Sequence, residues 1–578
     1  MRLGPRGLPP SESSRPTLVG DRWMAVTGHP ITVQVAGRVL EAGGNAVDAG
    51  VAAALATNVV QVDMCNLGGI APILIRPAGA EVVSVAGIGR WSSTATLDAY
   101  VGRHGSEMPP GCAPCIVPGA LAGWLSALDA FGTWSFSDVA APAVELATEG
   151  FVLDATVATG LDMFAWVYEQ WPSSAAVYCP GGRRAQPEDR LVQSDLGRLL
   201  LRLIEAEATS GSDANSVPPP ERRRTGIDAV RRAFYEGEVA KKMADFVTAA
   251  GGFLTVEDLA SFRAEVAPAP RRSFPELGHL TVYTTPAQWS QGPALLQALA
   301  IFGQFDPGTL EHNSTAYLHH LIEAVKLAFS DRERYYGDAG SADVTFLLSD
   351  EHAAELAALI RRDRTLPDLY TVRHCADQVH STTQVTVVDS HGNAFASAPS
   401  DPLSMSPIVP GLGVMVSGRG VQSRTVRDHP ACLGPARRPR VTPSPAIVLD
   451  DDGLVWPITC PGGDVILQAM MQSLLNVAVF GMTEQQAVEA PRAISFAFPD
   501  SFYAHSHPEG MVAVESRVPD DTLQGLSALG HDVRQWPPYE FEAGSVGMIR
   551  QRPRTADRAR TTLRAAADPR RAAYALGR

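Results

Sequence analysis

The sequence predicts an α+β fold built from stacked layers, helix on sheet. Three observations predict it. Helical patterns cluster over residues 30–60, 120–200, 227–250 and 312–336, strand patterns cluster after residue 382, and the helical run at 46–60 is apolar on almost every face. A helix that is apolar all round must be covered on all sides, which places it between layers. Clustered elements argue against a serial succession of βαβ units.

In chain order, Trp23-Met24-Ala25-Val26-Thr27 reads as a short strand, followed by Gly28-His29-Pro30 and an Ala/Val-rich helix. Gly43-Gly44-Asn45 breaks that helix, and Ala46-Val47-Asp48-Ala49 opens the apolar one. Gly68-Gly69 leads into strands near 72–76 and 81–86. Pro118-Gly119-Ala120 starts a helix to about Ala130, and helices continue through Glu149-Gly150-Phe151 to about residue 200. Residues 205–225, with Ser-Gly-Ser-Asp and Pro-Pro-Pro-Glu-Arg-Arg-Arg, read as a surface insertion. Between the helices at 227–250 and 312–336, Gly251-Gly252 supplies a C-cap and Thr255 an N-cap, with Asp258 three residues on. Strands then fit 384–388, 393–397, 413–417, 445–449 and 454–459, and helices fit 464–480 and 484–490.

Composition narrows the function classes. The chain has 578 residues, 45% hydrophobic and 19% charged, enough for a large core. A net charge of −14 argues against nucleic acid or a membrane surface as partner; residues 550–578 are locally Arg-rich and read as a solvated tail. No apolar run has signal-peptide or membrane-span length, so a cytoplasmic protein is expected. The seven cysteines are odd in number and scattered, as reduced thiols are. Cys112-Ala-Pro-Cys115 has the spacing of a zinc or redox pair, but without a second pair it reads as a loop before a helix. The fourteen histidines include no His-x-x-x-His pair with a nearby acid, and His319-His320 read as surface or packing residues of one helix. Neither a metal nor a cofactor is expected.

Residues 380–400 are the most informative stretch, because Thr382-Thr383 stands directly ahead of an apolar, β-branched strand and turn. A threonine hydroxyl is a poor nucleophile at neutral pH. A threonine that begins a chain, however, has its own α-amino group beside it as general base. Cleavage between Ser381 and Thr382 creates such a residue. Thr-Thr before a strand is also what β-propensity alone produces, so the pattern gains meaning only from the rest of the chain.

That rest is a collinear set of motifs: His29-Pro30, Gly43-Gly44-Asn45-Ala46-Val47-Asp48-Ala49, Pro118-Gly119 with Ala122-Gly123, and Phe234-Tyr235-Glu236-Gly237. It continues with Gly251-Gly252 and Glu257-Asp258-Leu259, then Thr382-Thr383 with Val387-Val388-Asp389 and Gly392-Asn393-Ala394. Pro461-Gly462-Gly463 and Glu489-Ala490-Pro491-Arg492 complete it. Together they resemble the γ-glutamyltranspeptidase family of N-terminal nucleophile hydrolases. The resemblance implies a four-layer αββα sandwich made as a proenzyme, cut before Thr382 into a large segment, 23–381, and a small one, 382–578, that stay associated. Residues 1–22 are expected to be a flexible N-terminus.

The resemblance also implies roles. Thr382 is the nucleophile, or Thr383 if the register slips by one. Gly462 and Gly463 supply backbone N–H groups to the oxyanion, the lack of side chains allowing close approach. Ser400 is a second hydroxyl supporting the nucleophile. Arg90, in Gly87-Ile88-Gly89-Arg90, clamps a substrate α-carboxylate through its planar fork.

The substrate pocket departs from the family. Ser417-Gly418-Arg419-Gly420-Val421-Gln422 lacks the carboxylate that holds a substrate ammonium: Gln422 stands in its place, and Arg419 adds a cation that favours an anion. Pro402 replaces an amide side chain, and Arg438-Pro439-Arg440 leads into Val441-Thr442 rather than tandem serines. Asp464 follows the glycine pair, either as N-cap of the helix starting at Val465 or as part of a changed substrate site. The expected function is a self-processing threonine hydrolase or acyltransferase acting through an acyl-enzyme on a small carboxylate-bearing molecule. Alternatives are an amide or carbon–carbon hydrolase of a biosynthetic pathway with the same nucleophile, a glutathione hydrolase with another acid at the ammonium, and an unprocessed, inactive homologue with a binding or structural role.

Overall fold

The computed structural model describes residues 14–210, 219–340, 343–367, 382–552 and 561–578. Ser381, on the far side of the expected cleavage point, and Cys375 lie outside them. Among the described residues two seven-stranded sheets dominate. The first runs in the order Leu18–Gly20, Thr562–Ala567, Gly547–Arg552, Val455–Thr459, Ala446–Leu449, Leu280–Tyr283, Arg271–Phe274. The second runs Tyr574–Gly577, Met24–Thr27, Val385–Val388, Ala394–Ser397, Ala71–Arg76, Val83–Gly87, Val266–Pro268. All pairings within them are antiparallel.

Side-chain alternation along the strands defines four layers. Met24, Val26, Val388, Ala394 and Ala396 of the second sheet pack with Ile447, Val455, Ile549, Ala565 and Ala567 of the first, in a core between the sheets. Their neighbours Ala25, Val385, Val387 and Phe395 face outward onto the helices Pro30–Glu41, Ala46–Val60 and Ala120–Phe131. On the other side Ala446, Val448, Ile458, Met548 and Ala566 pack against Gly292–Gly303, Thr315–Tyr335 and Ile466–Ala478. The fold is therefore a four-layer αββα sandwich, and the helix Ala46–Val60 is buried at all fifteen positions. Asn45 caps it in a capping box with Asp48, as Thr255 does with Asp258 for Val256–Ser261.

Several expectations are corrected. Residues 413–417 form no strand: Met415 makes an isolated bridge to Ile408, and Gly413 adopts a φ of +68° that breaks extended backbone. The single helix expected over 227–250 is two, Pro219–Tyr235 and Gly237–Ala249, because Glu236 is extended. The Arg-rich segment is not a solvated tail. It supplies strands to both sheets, with Asp568, Arg570 and Arg571 buried between them in sequence. At the N-terminus, Leu18–Gly20 is an edge strand paired with Leu563–Ala565 rather than part of a flexible arm.

Candidate active site

Thr382 lies at the start of the segment feeding Val385–Val388 and is buried. An isolated antiparallel bridge sets it opposite Ser400, with Thr382 Oγ1 2.9 Å from Ser400 Oγ. The hydroxyl of Thr383 is committed elsewhere, donating to Gln61 Oε1 at 2.6 Å, while its N–H donates to Pro399 O at 2.9 Å. Gln61 also donates to Gly28 O at 3.1 Å, and a Cβ on Gly28 would lie 2.1 Å from Thr383 Oγ1, so only glycine permits this approach. These contacts separate the two threonines: Thr382 faces a hydroxyl, Thr383 is locked into the wall.

Beneath Ser400 lies a buried ionic network. Arg419 donates from Nη2 to Ser400 Oγ, from Nε to Asp401 Oδ1 at 2.7 Å, and from Nη1 to Gln422 Oε1 at 3.1 Å. Ser417 donates to the other oxygen of Asp401, and Gln422 Nε2 donates to Thr442 Oγ1 at 3.3 Å. Burial pushes the Asp401 carboxyl up and the Arg419 guanidinium down, and each charge opposes the other's shift. The sequence expects Arg419 and Gln422 at the substrate; in the structure Asp401, beside Ser400 in sequence, pairs with Arg419, and Gln422 accepts from it.

The glycine pair comes from the facing sheet. Val455–Thr459 runs into Cys460-Pro461-Gly462-Gly463, and Gly463 opens a short 3-10 turn, Gly463–Val465, that continues as Ile466–Ala478. Gly462 has φ +136° and Gly463 φ +63°, conformations open to glycine. N–H groups in the first turn have no partner one turn earlier. Val385–Val388 and this loop are tied across the sheets by Thr386 Oγ1 to Thr459 Oγ1 at 2.7 Å, and Thr459 donates to Gln384 Oε1 at 3.3 Å. Gln291 donates to both Thr442 O and Gly463 O at 3.2 Å.

Asp464 does not cap the helix through its side chain. Its Oδ1 accepts from Arg332 Nη1 and from Ser501 Oγ at 2.7 Å, and its Oδ2 from Ser501 N at 2.8 Å. Arg332 also donates to Gln291 Oε1 at 3.2 Å and Pro499 O at 2.7 Å. Asp464 thus anchors the glycine loop from below. Arg90 is set apart: it donates to Ala436 O at 2.9 Å and reaches Asp338 at 3.4 Å in a cavity shared with Glu265 and Arg438, whose lining does not include Thr382.

Thr382, Thr383, Gly28, Gln61, Pro461 and Ser545 line one narrow recess. Residues that sequence reading missed stand around it. His29 Nε2 pairs with Asp154 at 2.6 Å, and Asp154 also accepts from Thr156 N and Val157 N at the start of Ala155–Met163. Asp63 is buried, with Oδ1 lacking a hydrogen-bond partner, and burial raises its pKa to about 7. His29-Pro30 was visible as a motif; Gln61 and Asp63 carried no local signal.

Away from this site, the fold brings His319, Glu323 and His531 within 4.8 Å of one another. Both His319 and His320 are buried rather than on the surface. The cluster's capacity is used internally: His319 meets His531 at 2.9 Å and Arg361 O at 2.6 Å, while Glu323 accepts from Lys326, Thr365 and Leu366 N. Cys112 and Cys115 are buried free thiols in a loop. No described helix is long and apolar enough to cross a membrane.

Residues 32–577 match the family described as Gamma-glutamyltranspeptidase. The chain is 29% identical over 532 residues to "Acylase ACY 1 proenzyme" of Pseudomonas sp. (strain SE83), covering 90% of this chain and 88% of that protein. It is 27% identical over 588 residues to "Glutathione hydrolase proenzyme" of Bacillus subtilis (strain 168), covering 97% and 92%. A solved structure described as "Structure of LmbA2991HD" superposes with a TM-score of 0.88 at 32% identity, over 98% of this chain and 100% of that one. With the αββα layers and the match over nearly its whole length, the chain belongs to the gamma-glutamyltranspeptidase family of N-terminal nucleophile hydrolases.

Proposed function

We propose that the protein is a self-processing threonine hydrolase or acyltransferase whose nucleophile is Thr382. The observation that carries this is the chain of hydrogen bonds from Arg419 through Ser400 to Thr382 Oγ1. Because Arg419 donates to Ser400 Oγ, the serine's own proton is directed at Thr382 Oγ1, stabilising negative charge on that oxygen as it enters and leaves the acyl-enzyme. Asp401 keeps the guanidinium oriented for that purpose.

Cleavage before Thr382 frees its α-amine, which takes the Oγ1 proton as the oxygen bonds to the substrate carbonyl carbon. The tetrahedral oxyanion is placed against the N–H groups of Gly462 and Gly463. Collapse breaks the scissile C–N bond, the amine leaves with the proton, and water or another amine attacks the ester to release Thr382. The acylase and the glutathione hydrolase among the relatives support the reaction class; the altered pocket at Arg419, Gln422 and Thr442 favours an acyl group other than γ-glutamyl.

The test is the intact mass of purified wild type and Thr382→Ala after prolonged incubation, with N-terminal sequencing. Two wild-type fragments, the smaller starting at Thr382, against a single Thr382→Ala chain are expected. A wild-type chain that stays whole overturns the reading.

A further inference from the structure

The recess at Thr382 continues into a larger cleft of about 630 Å3, within the range of small-molecule sites. Met64, Thr156, Phe541, Arg571 and Ala572 line both. Neither Arg90 nor Arg419 lines this route, so the carboxylate preference expected from them needs another cation. Arg571 is in the right place. It is only 8% exposed, and both terminal guanidinium nitrogens lack a hydrogen-bond partner.

The contrast with its neighbour is informative. Arg570 is satisfied on every nitrogen, by Glu515, Asp568, Val488 O and Ala490 O, and Arg492 grips Asp568 from the other side. That network clamps the turn between Thr562–Ala567 and Tyr574–Gly577. Arg571, one residue on, is held only by its stem: Nε donates to Phe541 O at 3.2 Å, and the guanidinium stacks 4.0 Å from the Phe541 ring. Its planar fork is therefore fixed in orientation while its outer edge is unused. Glu542, Asp63 and Asp568 supply nearby negative charge without bonding that edge. Leaving a buried guanidinium edge unpaired is costly, and a structural arginine would be expected to resemble Arg570.

We propose that Arg571 binds a carboxylate of the acyl substrate, fork to fork, in the cleft that leads to Thr382. The substrate is then a short acyl group carrying an anionic end, seated with the carboxylate at Arg571 and the scissile carbonyl at Thr382. This deepens the threonine-hydrolase reading and rests on it.

The test uses processed wild type, Arg571→Gln and Arg571→Lys with glutaryl-p-nitroanilide and the uncharged butyryl-p-nitroanilide. Losing the charge-assisted pair lowers kcat/KM for the glutaryl substrate by about 30-fold relative to the change on the butyryl one. Arg571→Lys recovers part of that ratio, keeping charge without the fork. Equal changes on both substrates overturn the proposal. A second arm needs no turnover: thermal shift of the uncut Thr382→Ala chain with glutarate and with neutral glutaramide. A saturable rise with glutarate alone, lost on adding Arg571→Gln, is expected; no rise, or the same rise in both chains, overturns it. A wild type that never cuts itself sinks the nucleophile assignment and leaves this second arm to decide on Arg571.

Discussion

Arg419 and Asp401, both fully buried, hold the hydroxyl that faces Thr382. Removing one partner of such a pair strands the other charge. Asp401→Ala in the uncut Thr382→Ala background should therefore lose about 3–5 kcal/mol, read from the urea midpoint. Ser400→Ala leaves the pair intact and should slow self-cleavage by about 10- to 100-fold, followed as fragment appearance on a gel. Asp63 makes a pH prediction. Burial, then the Asp154 charge, raise its carboxyl from 3.8 to about 7 against the lowering effects of its own backbone and Arg571. Between those values the folded chain holds the extra proton, so stability falls as pH rises through the window and is level above it. In the uncut chain, Asp63→Asn should gain about 4 kcal/mol on wild-type Asp63 between pH 4 and pH 8. At this scale the sequence singled out Thr382, Ser400 and the glycine pair as candidates, because each sits in a local motif. It did not show that Asp401 answers Arg419, eighteen residues away, or that Asp464 belongs to Arg332, since those pairings exist only after folding.

Elements whose signals are local were the readable ones. Asn45 and Asp48 announce the start of Ala46–Val60, and Asn45 also donates to Phe131 O at 2.8 Å. Asn45→Ala should cost about 1–2 kcal/mol in thermal or urea unfolding, with Asn45→Asp losing less. Strands rich in alanine were unreadable: Thr562–Ala567 holds Ala565, Ala566 and Ala567, a residue of low β-propensity. They are strands because small side chains suit the space between two sheets and because neighbours at Gly547–Arg552 and Leu18–Gly20 supply the hydrogen bonds. Arg271–Phe274 was hidden for the opposite reason, its charged residues being those of an edge strand.

Across the whole molecule, each sheet interleaves strands from before and after Thr382. Val385–Val388 lies between Met24–Thr27 and Ala394–Ser397, and Val455–Thr459 and Ala446–Leu449 continue into Leu280–Tyr283. The fragments expected from cleavage should therefore elute together in gel filtration and separate only in strong denaturant. Removing residues 561–578 deletes one strand from each sheet and the arginine turn, and should leave an insoluble chain with no fragments formed. The interleaving has a consequence for history as well as for structure. Strands far apart in sequence must be brought side by side before either sheet closes, a search that a continuous chain shortens and two free chains must make by collision. On the cleavage proposed above, the bond ahead of Thr382 acts as scaffolding, required while the molecule is being assembled and dispensable afterwards, and mixing the two pieces once they have been taken apart should not restore the molecule.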